Sequence, residues 1–562
     1  MDSPAVARTV VGELLAAGVT DAVLAPGSRS APIALTLADA ERRGLVRLHV
    51  RIDERSAAYL ALGLAKVSGR PVAVVTTSGT AAVNLHPAMV EASYSGIPLI
   101  AITADRPGAL RGSGANQTID QRALYGVDAV ASVDVEGLDE AGLRSALADA
   151  LAFATSAHPG PAHVNTPLAE PLVATGEHAV GDVVPGPTVA PPSVAGAPLS
   201  ELVPAGTDVR RGVLVAGDFG DEQVRERAAA LASALGWPVI SEPSGNLSAH
   251  PLALRHGPLI LGGDAATRLT PDIVVSVGRV GLHRSVMRLL RDAGTHIAVD
   301  VPPRLSRVDP ARTASAIVDG VPEAAGADAD PEWIAAWRAA DASAAVHVEA
   351  MLEDGQFTGP VVARIVAERA GADDLLVIGP SWPVRHVSSY AGPLRARCIG
   401  NRGTSGIDGV ISTAWGAALV HGEHQPNGTT FALIGDLTAI YDRNGLLAPA
   451  GELRPRLDYV VIDNDGGGIF STLEQGGDDF SVDFERVFGT PHGGDLARLL
   501  AAPRVRVVTV STRDELRDEL RGSCEDAPGT DVRVIIARCS SRDEEARLVR
   551  RVSAAVDQAL SG

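Results

Sequence analysis

The sequence is almost without lysine: of its 49 basic residues only Lys66 is lysine, and the rest are arginine. That scarcity excludes a GxxxxGK[ST] phosphate loop and leaves a single side chain able to form a Schiff base, so P-loop and pyridoxal-phosphate chemistries are poor readings. Lys66 lies in an Ala/Leu-rich helical stretch, where a solvated position is expected. Cysteine is also sparse. Cys398, Cys524 and Cys539 are scattered, with neither disulfide-framework nor metal-ligand spacing. No uninterrupted apolar run approaches the ~18 residues of a membrane span. The N-terminus, MDSPAVARTVVGELL, lacks the basic and apolar regions of a secretory signal. A cytoplasmic protein without membrane insertion is expected. The net charge of −19 argues against nucleic acid, because neutralising phosphates needs a basic face.

What is present is a long alternation of short apolar runs and helical segments. The 562 residues are too many for one core and predict three α/β domains. The first is expected over 1–183, with strands near 48–52, 72–76 and 98–103. Residues 184–206 carry six prolines and no amphipathic period, and read as a linker. A central unit follows over 207–330, then a third over 350–562 with strands near 375–378, 431–434, 459–462 and 532–537. Runs separated by helices of this kind predict parallel sheets covered on both faces, the doubly wound class. The first and third units echo each other. Each sends a strand into a Gly/Pro/Ser turn followed by arginine, LAPGSR at 24–29 and VIGPSWPVR at 377–385.

The strongest chemical motif is FALIGDLTAIYDRNGLL followed by VVIDNDGGGIF. Asp436 and Asn464 each follow an apolar strand, at the strand ends where open α/β sheets bind ligands. Asp436 offers a carboxylate oxygen, Asn464 an amide oxygen and Gly466 a main-chain carbonyl. That is a small oxygen set suited to Mg²⁺, its octahedron completed by diphosphate oxygens and water. A helix beginning near Asp436 would aim N–H groups at the same anion. The plainer alternative is a pair of turn residues capping strands. A dinucleotide site is the rival, but no GxGxxG joins a first strand to a helix.

With this spacing, GD…N resembles the signature of thiamine-diphosphate (ThDP) enzymes, and RIDERSAAYLALGLAKVSGRPVAVVTTSGTA resembles their pyrimidine-binding domain. The resemblance implies three ThDP-type domains and places Glu54 on the N1′ nitrogen of the cofactor, where it would catalyse proton removal. Cofactor contacts from Ser78, Gly79, Ser381, Gly406, Ile407, Asp436 and Asn464 follow from it. So does a metal, Mg²⁺ or Mn²⁺, held by Asp436, Asn464 and Gly466.

Further segments, APGSRSAP, ADRP, GANQTIDQ, NRGTSGIDG, GDLTAIYD and GGGIFSTLEQ, closely resemble one branch of that class. This is the family of 2-succinyl-5-enolpyruvyl-6-hydroxy-3-cyclohexene-1-carboxylate (SEPHCHC) synthases of menaquinone biosynthesis. The match is dense over about 20–125 and 375–495 and loose in the central unit. It implies decarboxylation of 2-oxoglutarate and 1,4-addition of the remaining carbanion to isochorismate. Ser28, Arg29, Arg106, Asn116, Gln117, Arg304, Arg385, Arg402, Ile469, Phe470 and Leu473 would line the substrate side, with Arg307 competing with Arg304. Several arginines at strand ends suit these substrates, since guanidinium binds carboxylates bidentately and stays charged. Pro380 stands where some relatives have asparagine. The family architecture implies an active site between subunits, in a homodimer or homotetramer. Other ThDP carboligases, and a binding protein that has lost catalysis, are the alternatives; retention of Glu54 beside the metal motif speaks against the second.

Overall fold

Short runs of Val, Ile, Ala and Leu, buried on both faces, form the inner strands of three parallel sheets. The computed structural model describes residues 1–173, 178–181, 195–301, 308–324, 330–522 and 532–561. The first sheet contains β1 (Asp21–Leu24), β2 (Arg47–Val50), β3 (Val72–Thr76), β4 (Leu99–Asp105), β5 (Ala131–Asp134) and β6 (Ala162–Pro167). β7 (Ala195–Pro198) precedes the central sheet of β8 (Gly212–Ala216), β9 (Val239–Ser241), β10 (Ile273–Val277), β11 (Thr295–Val299) and β12 (Ala316–Val318), and β13 (Val321–Glu323) follows it. The third sheet holds β14 (Leu375–Ile378), β15 (Arg397–Ile399), β16 (Thr430–Gly435), β17 (Leu457–Asp463), β18 (Val505–Val510) and β19 (Val532–Arg538).

The faint echo between the first and third units is a shared topology. Their strand orders are β2-β1-β3-β4-β6-β5 and β15-β14-β16-β17-β19-β18, the same permutation, with parallel pairing throughout. Two readings from the sequence need correction. Within the expected linker, residues 195–202 are structured: β7 pairs with β13, and Leu199 is buried in the core of the central sheet. Nothing in a proline-rich stretch signals a strand whose partner lies more than a hundred residues on. Lys66 is not solvated either. Its ammonium donates to the Gly400 carbonyl at 2.6 Å, tying the first unit to the third.

The first and third units share one hydrophobic cluster, in which Leu60 and Leu64 meet Ala414 and Ala418. The helix Glu54–Ser68 is apolar almost all round because it is covered on one side by its own sheet and on the other by the helix Val410–His424. Asp53 caps its N-terminus by accepting from the Ser56 N–H, and Gly69 ends it at φ 67°. Polar ties flank this seam. Asn444 donates to Asp53 at 2.8 Å, and Glu91 accepts from the N–H groups of Gly403 and Thr404 at 2.8 and 2.7 Å. Among the described residues, no helix is long and apolar enough to cross a membrane.

Candidate active site

The expected site residues gather at the carboxyl ends of the strands of the first and third sheets. After β3 and β4, Ser78, Gly79, Arg106 and Gln117 form one hydrogen-bonded group. The Arg106 guanidinium donates to the Ser78 hydroxyl and to the Gln117 carbonyl, the latter at 2.8 Å. Gln117 returns its amide to the Ser78 carbonyl at 3.0 Å. The Gly79 N–H is held by Gln121, which is fully buried. Arg29, after β1, is near enough that its charge joins burial in lowering the Arg106 pKa. Its own guanidinium donates to the Leu168 carbonyl at 2.9 Å. Ser28 and Asn116 are exposed on the same rim, and no described hydrogen bond draws their side chains into the group.

Glu54 is the first residue of its helix and half-buried. Among the described residues nothing donates a hydrogen bond to its carboxylate, and no hydrogen bond or ion pair links it to Asp436 or Asn464. Its neighbours are anchored: Arg55 donates to the Tyr441 carbonyl at 3.0 Å and stacks on the Tyr441 ring.

The third sheet carries the acidic centre. β16 ends at Gly435, and the helix Asp436–Tyr441 starts at once. Asp436 is 2% exposed, yet its carboxylate accepts from two main-chain N–H groups, Leu437 at 2.6 Å and Gly466 at 2.8 Å. Gly466 has φ 128°, and a Cβ there would lie 2.2 Å from the Gly489 oxygen, so only glycine lets this turn close. Asn464, 7% exposed, donates its amide N–H to Glu545 at 3.1 Å. That leaves its carbonyl oxygen facing away from Glu545.

The sequence reading missed His492. It lies 3.2 Å from Asp463 and 3.6 Å from both Asp436 and Asp465. One ligand atom each from Asp436, Asp463 and His492 falls within 4.8 Å of the others, an arrangement that could hold a metal ion. The nearby Asp436 carboxylate, supported by the hydrogen-bonded Asp463, pushes the His492 pKa up to about 9 against the opposing effect of burial. Burial and the Asp436 charge raise that of Asp463.

Beside this centre, Ser381 sits in the left-handed region (φ 68°) at the start of the helix Trp382–Tyr390, and its carbonyl accepts from Arg385 at 2.8 Å. Burial, then the nearby positive charge of Arg402, lowers the Arg385 pKa. The central unit adds two groups that carried no sequence signal. Burial, with Arg385 and Arg402, holds His283 down at about 3, so it is neutral, and its ring nitrogen lies 3.1 Å from the Ser388 hydroxyl. Glu242 is buried beside Arg402 and accepts from the Gly281 and Leu282 N–H groups. Arg304, and its competitor Arg307, lie outside the described residues.

Gly406 and Ile407 lie in the turn before the helix Val410–His424. Ile407 is half-buried and belongs to none of the described hydrophobic clusters. Ile469 and Phe470 lie on the 3₁₀ turn Gly468–Thr472, with Leu473 just after it, all half-buried. The Phe470 ring is 5.9 Å from that of Phe488.

A buried carboxylate, an amide oxygen and a glycine turn at adjacent strand ends fit a divalent cation with a diphosphate. Residues 5–124 match the family described as thiamine pyrophosphate enzyme, N-terminal TPP binding domain. Fold, site and match together define a thiamine-pyrophosphate-dependent enzyme. Over nearly its whole length the chain is also similar to proteins named 2-succinyl-5-enolpyruvyl-6-hydroxy-3-cyclohexene-1-carboxylate synthase. Identity is 42% to that of Thermobifida fusca, covering 99% of each chain, and 41% to that of Saccharopolyspora erythraea, covering 100% of each. It is 40% to that of a Nocardioides species, covering 97% of each. The chain belongs to this SEPHCHC synthase family.

Proposed function

We propose that the protein decarboxylates 2-oxoglutarate and joins the remaining succinyl carbon to isochorismate in a 1,4 sense, a step of menaquinone biosynthesis carried out in the cytoplasm. The observation that carries the reading is the buried Asp436 carboxylate at the end of β16, held by the Leu437 and Gly466 N–H groups, in a chain whose full-length relatives are named for that product. When bound, thiamine diphosphate supplies the electron sink that a 2-oxo acid needs to lose CO₂. Asp436, Asn464 and the Gly466 carbonyl would hold Mg²⁺ or Mn²⁺ against the diphosphate, and Ser381, Gly406 and Ile407 would line the same pocket. Ile407, apolar yet outside the described clusters, supports a role as a wall against the cofactor.

Glu54 would hold and release the proton at N1′ of the aminopyrimidine, with Ser78 and Gly79 beside it. Arg385 and Arg402 would grip substrate carboxylates, with Ser28, Arg29, Arg106, Asn116, Gln117 and Arg304 available for those of the second substrate. Ile469, Phe470 and Leu473 would keep water from the reacting carbon. The first-sheet group and the Asp436 centre share no described hydrogen bond within one chain. That supports a site completed by Glu54 from a second copy, in a dimer or tetramer.

The test is a coupled assay with purified protein, ThDP and Mg²⁺. CO₂ release from 2-oxoglutarate is expected to depend on isochorismate and to match product formation one to one. Equal release without isochorismate, or preference for pyruvate, would overturn the reading.

A further inference from the structure

Glu545 is a fully buried carboxylate that the proposed chemistry does not use. It lies in the C-terminal helix Arg542–Ser561, yet both its oxygens are engaged with segments far away in sequence. One accepts the Asn464 amide at 3.1 Å, and the other lies 2.6 Å from His386 Nε2, itself 2% exposed. His386 directly follows Arg385 on the helix Trp382–Tyr390. The space around this pair is closed, because a Cβ on Gly359 would come within 2.3 Å of Glu545 and 3.0 Å of His386.

A carboxamide can present either of its two ends, and the atom that faces it chooses between them. At this contact the Glu545 Oε2 atom accepts. Glu545 therefore draws the Asn464 N–H₂ toward itself and turns the carbonyl oxygen the other way. We propose that Glu545 is a positioning residue that fixes which end of Asn464 faces the cation, with His386 locking the carboxylate in place. The inference rests on the reading of Asn464 as a metal ligand. It deepens that reading by assigning a supporting group outside every motif of the family resemblance. Groups that orient metal ligands are commonly worth 10–100-fold in metal affinity.

The experiment measures Mn²⁺ affinity by electron paramagnetic resonance in the presence of ThDP, with no turnover involved. Glu545→Leu removes the acceptor and is expected to weaken Mn²⁺ binding about 10–100-fold. Glu545→Gln can still offer its carbonyl oxygen to Asn464 and its N–H₂ to His386, so it is expected to stay within about threefold of wild type. Equal weakening in both variants would mean that charge, not orientation, matters. Wild-type affinity in Glu545→Leu would mean that the contact does not matter. Either result overturns the proposal. Asp436→Ala, measured alongside, separates this from the underlying reading: if it leaves Mn²⁺ affinity unchanged, the metal site itself is misplaced. Should Glu545→Leu fail to fold, neutron diffraction of the Mn²⁺- and ThDP-loaded wild-type protein decides. Deuterium on Asn464 facing Glu545 is expected, and a carbonyl oxygen there would overturn the assignment.

Discussion

A Cβ added to Gly63 would lie 2.1 Å from the main-chain oxygen of Thr413, so the helices Glu54–Ser68 and Val410–His424 cross backbone to backbone. The contact is reciprocal: a Cβ on Gly416 would meet the Leu60 oxygen at 2.2 Å. Rigid main chain on both sides leaves no side chain to move aside. Gly63→Ala is expected to destabilise the protein by about 1–3 kcal/mol through overpacking. Gly422→Ala in the same second helix, where the new Cβ meets nothing within 4 Å, is expected to be neutral or stabilising by about 0.4–1 kcal/mol. Thermal unfolding of the two variants compares them, and equal shifts would show that the crossing is not tight.

Asp436 is expected to carry most of the cofactor affinity. Asp436→Ala removes the carboxylate that Leu437 and Gly466 orient, and with it the cation that would bridge to the diphosphate. Calorimetry with ThDP and Mg²⁺ is expected to show binding lost. Unchanged affinity, with EDTA also harmless to the wild type, would remove the metal from the account.

Arg385→Ala and Arg402→Ala are expected to leave ThDP affinity nearly intact while impairing substrate use. A lost charge-assisted bidentate contact costs roughly 1.5–3 kcal/mol, about ten- to a hundredfold in KM or kcat/KM. Both substrates are titrated, and wild-type values for each in both variants would refute the carboxylate pocket. His283, neutral far below physiological pH, adds no titration of its own between pH 5 and 9.

How much of this was legible beforehand depends on where each signal resides. Asp436, Asn464 and Gly466 stand at the ends of strongly apolar strands, so motif and strand reinforce one another within some thirty residues. β3 and β14 were legible for the same reason, as buried apolar runs. His492, Glu545, His283 and Glu242 were not, because each reaches the site from a segment with no motif. Glu545 is 81 residues from Asn464, and only the fold brings them together. The short strands β7 and β13 have too few residues to show a period, and Lys66 meets Gly400 across a seam that no local pattern announces.

Asp21 gives a pH dependence of stability. Burial alone would raise its carboxyl, but hydrogen bonds from His49 and Arg47 outweigh that and hold it at about 2, below the ordinary 3.8. A depressed carboxylate stabilises the fold above the unfolded value and loses that contribution as pH falls through the folded value. The contribution, on the order of 2 kcal/mol, is therefore full above about pH 4 and fades toward pH 2. Wild type and Asp21→Asn are expected to differ in Tm at pH 7 and to converge by pH 2. A constant difference across that range would contradict the assignment.

Glu54 bears the central claim, that this chain moves the proton which activates thiamine diphosphate. Glu54→Gln keeps the shape and a polar contact but cannot exchange the proton at N1′ in the same way. The direct measurement is the rate of deuterium exchange at thiamine C2 on the saturated protein, followed by NMR in D₂O. ThDP is expected still to bind while exchange slows by roughly 10²–10⁴-fold, the usual worth of a positioned acid–base group. Wild-type exchange in the Gln variant would contradict it and leave Glu54 as no more than the first residue of a buried helix.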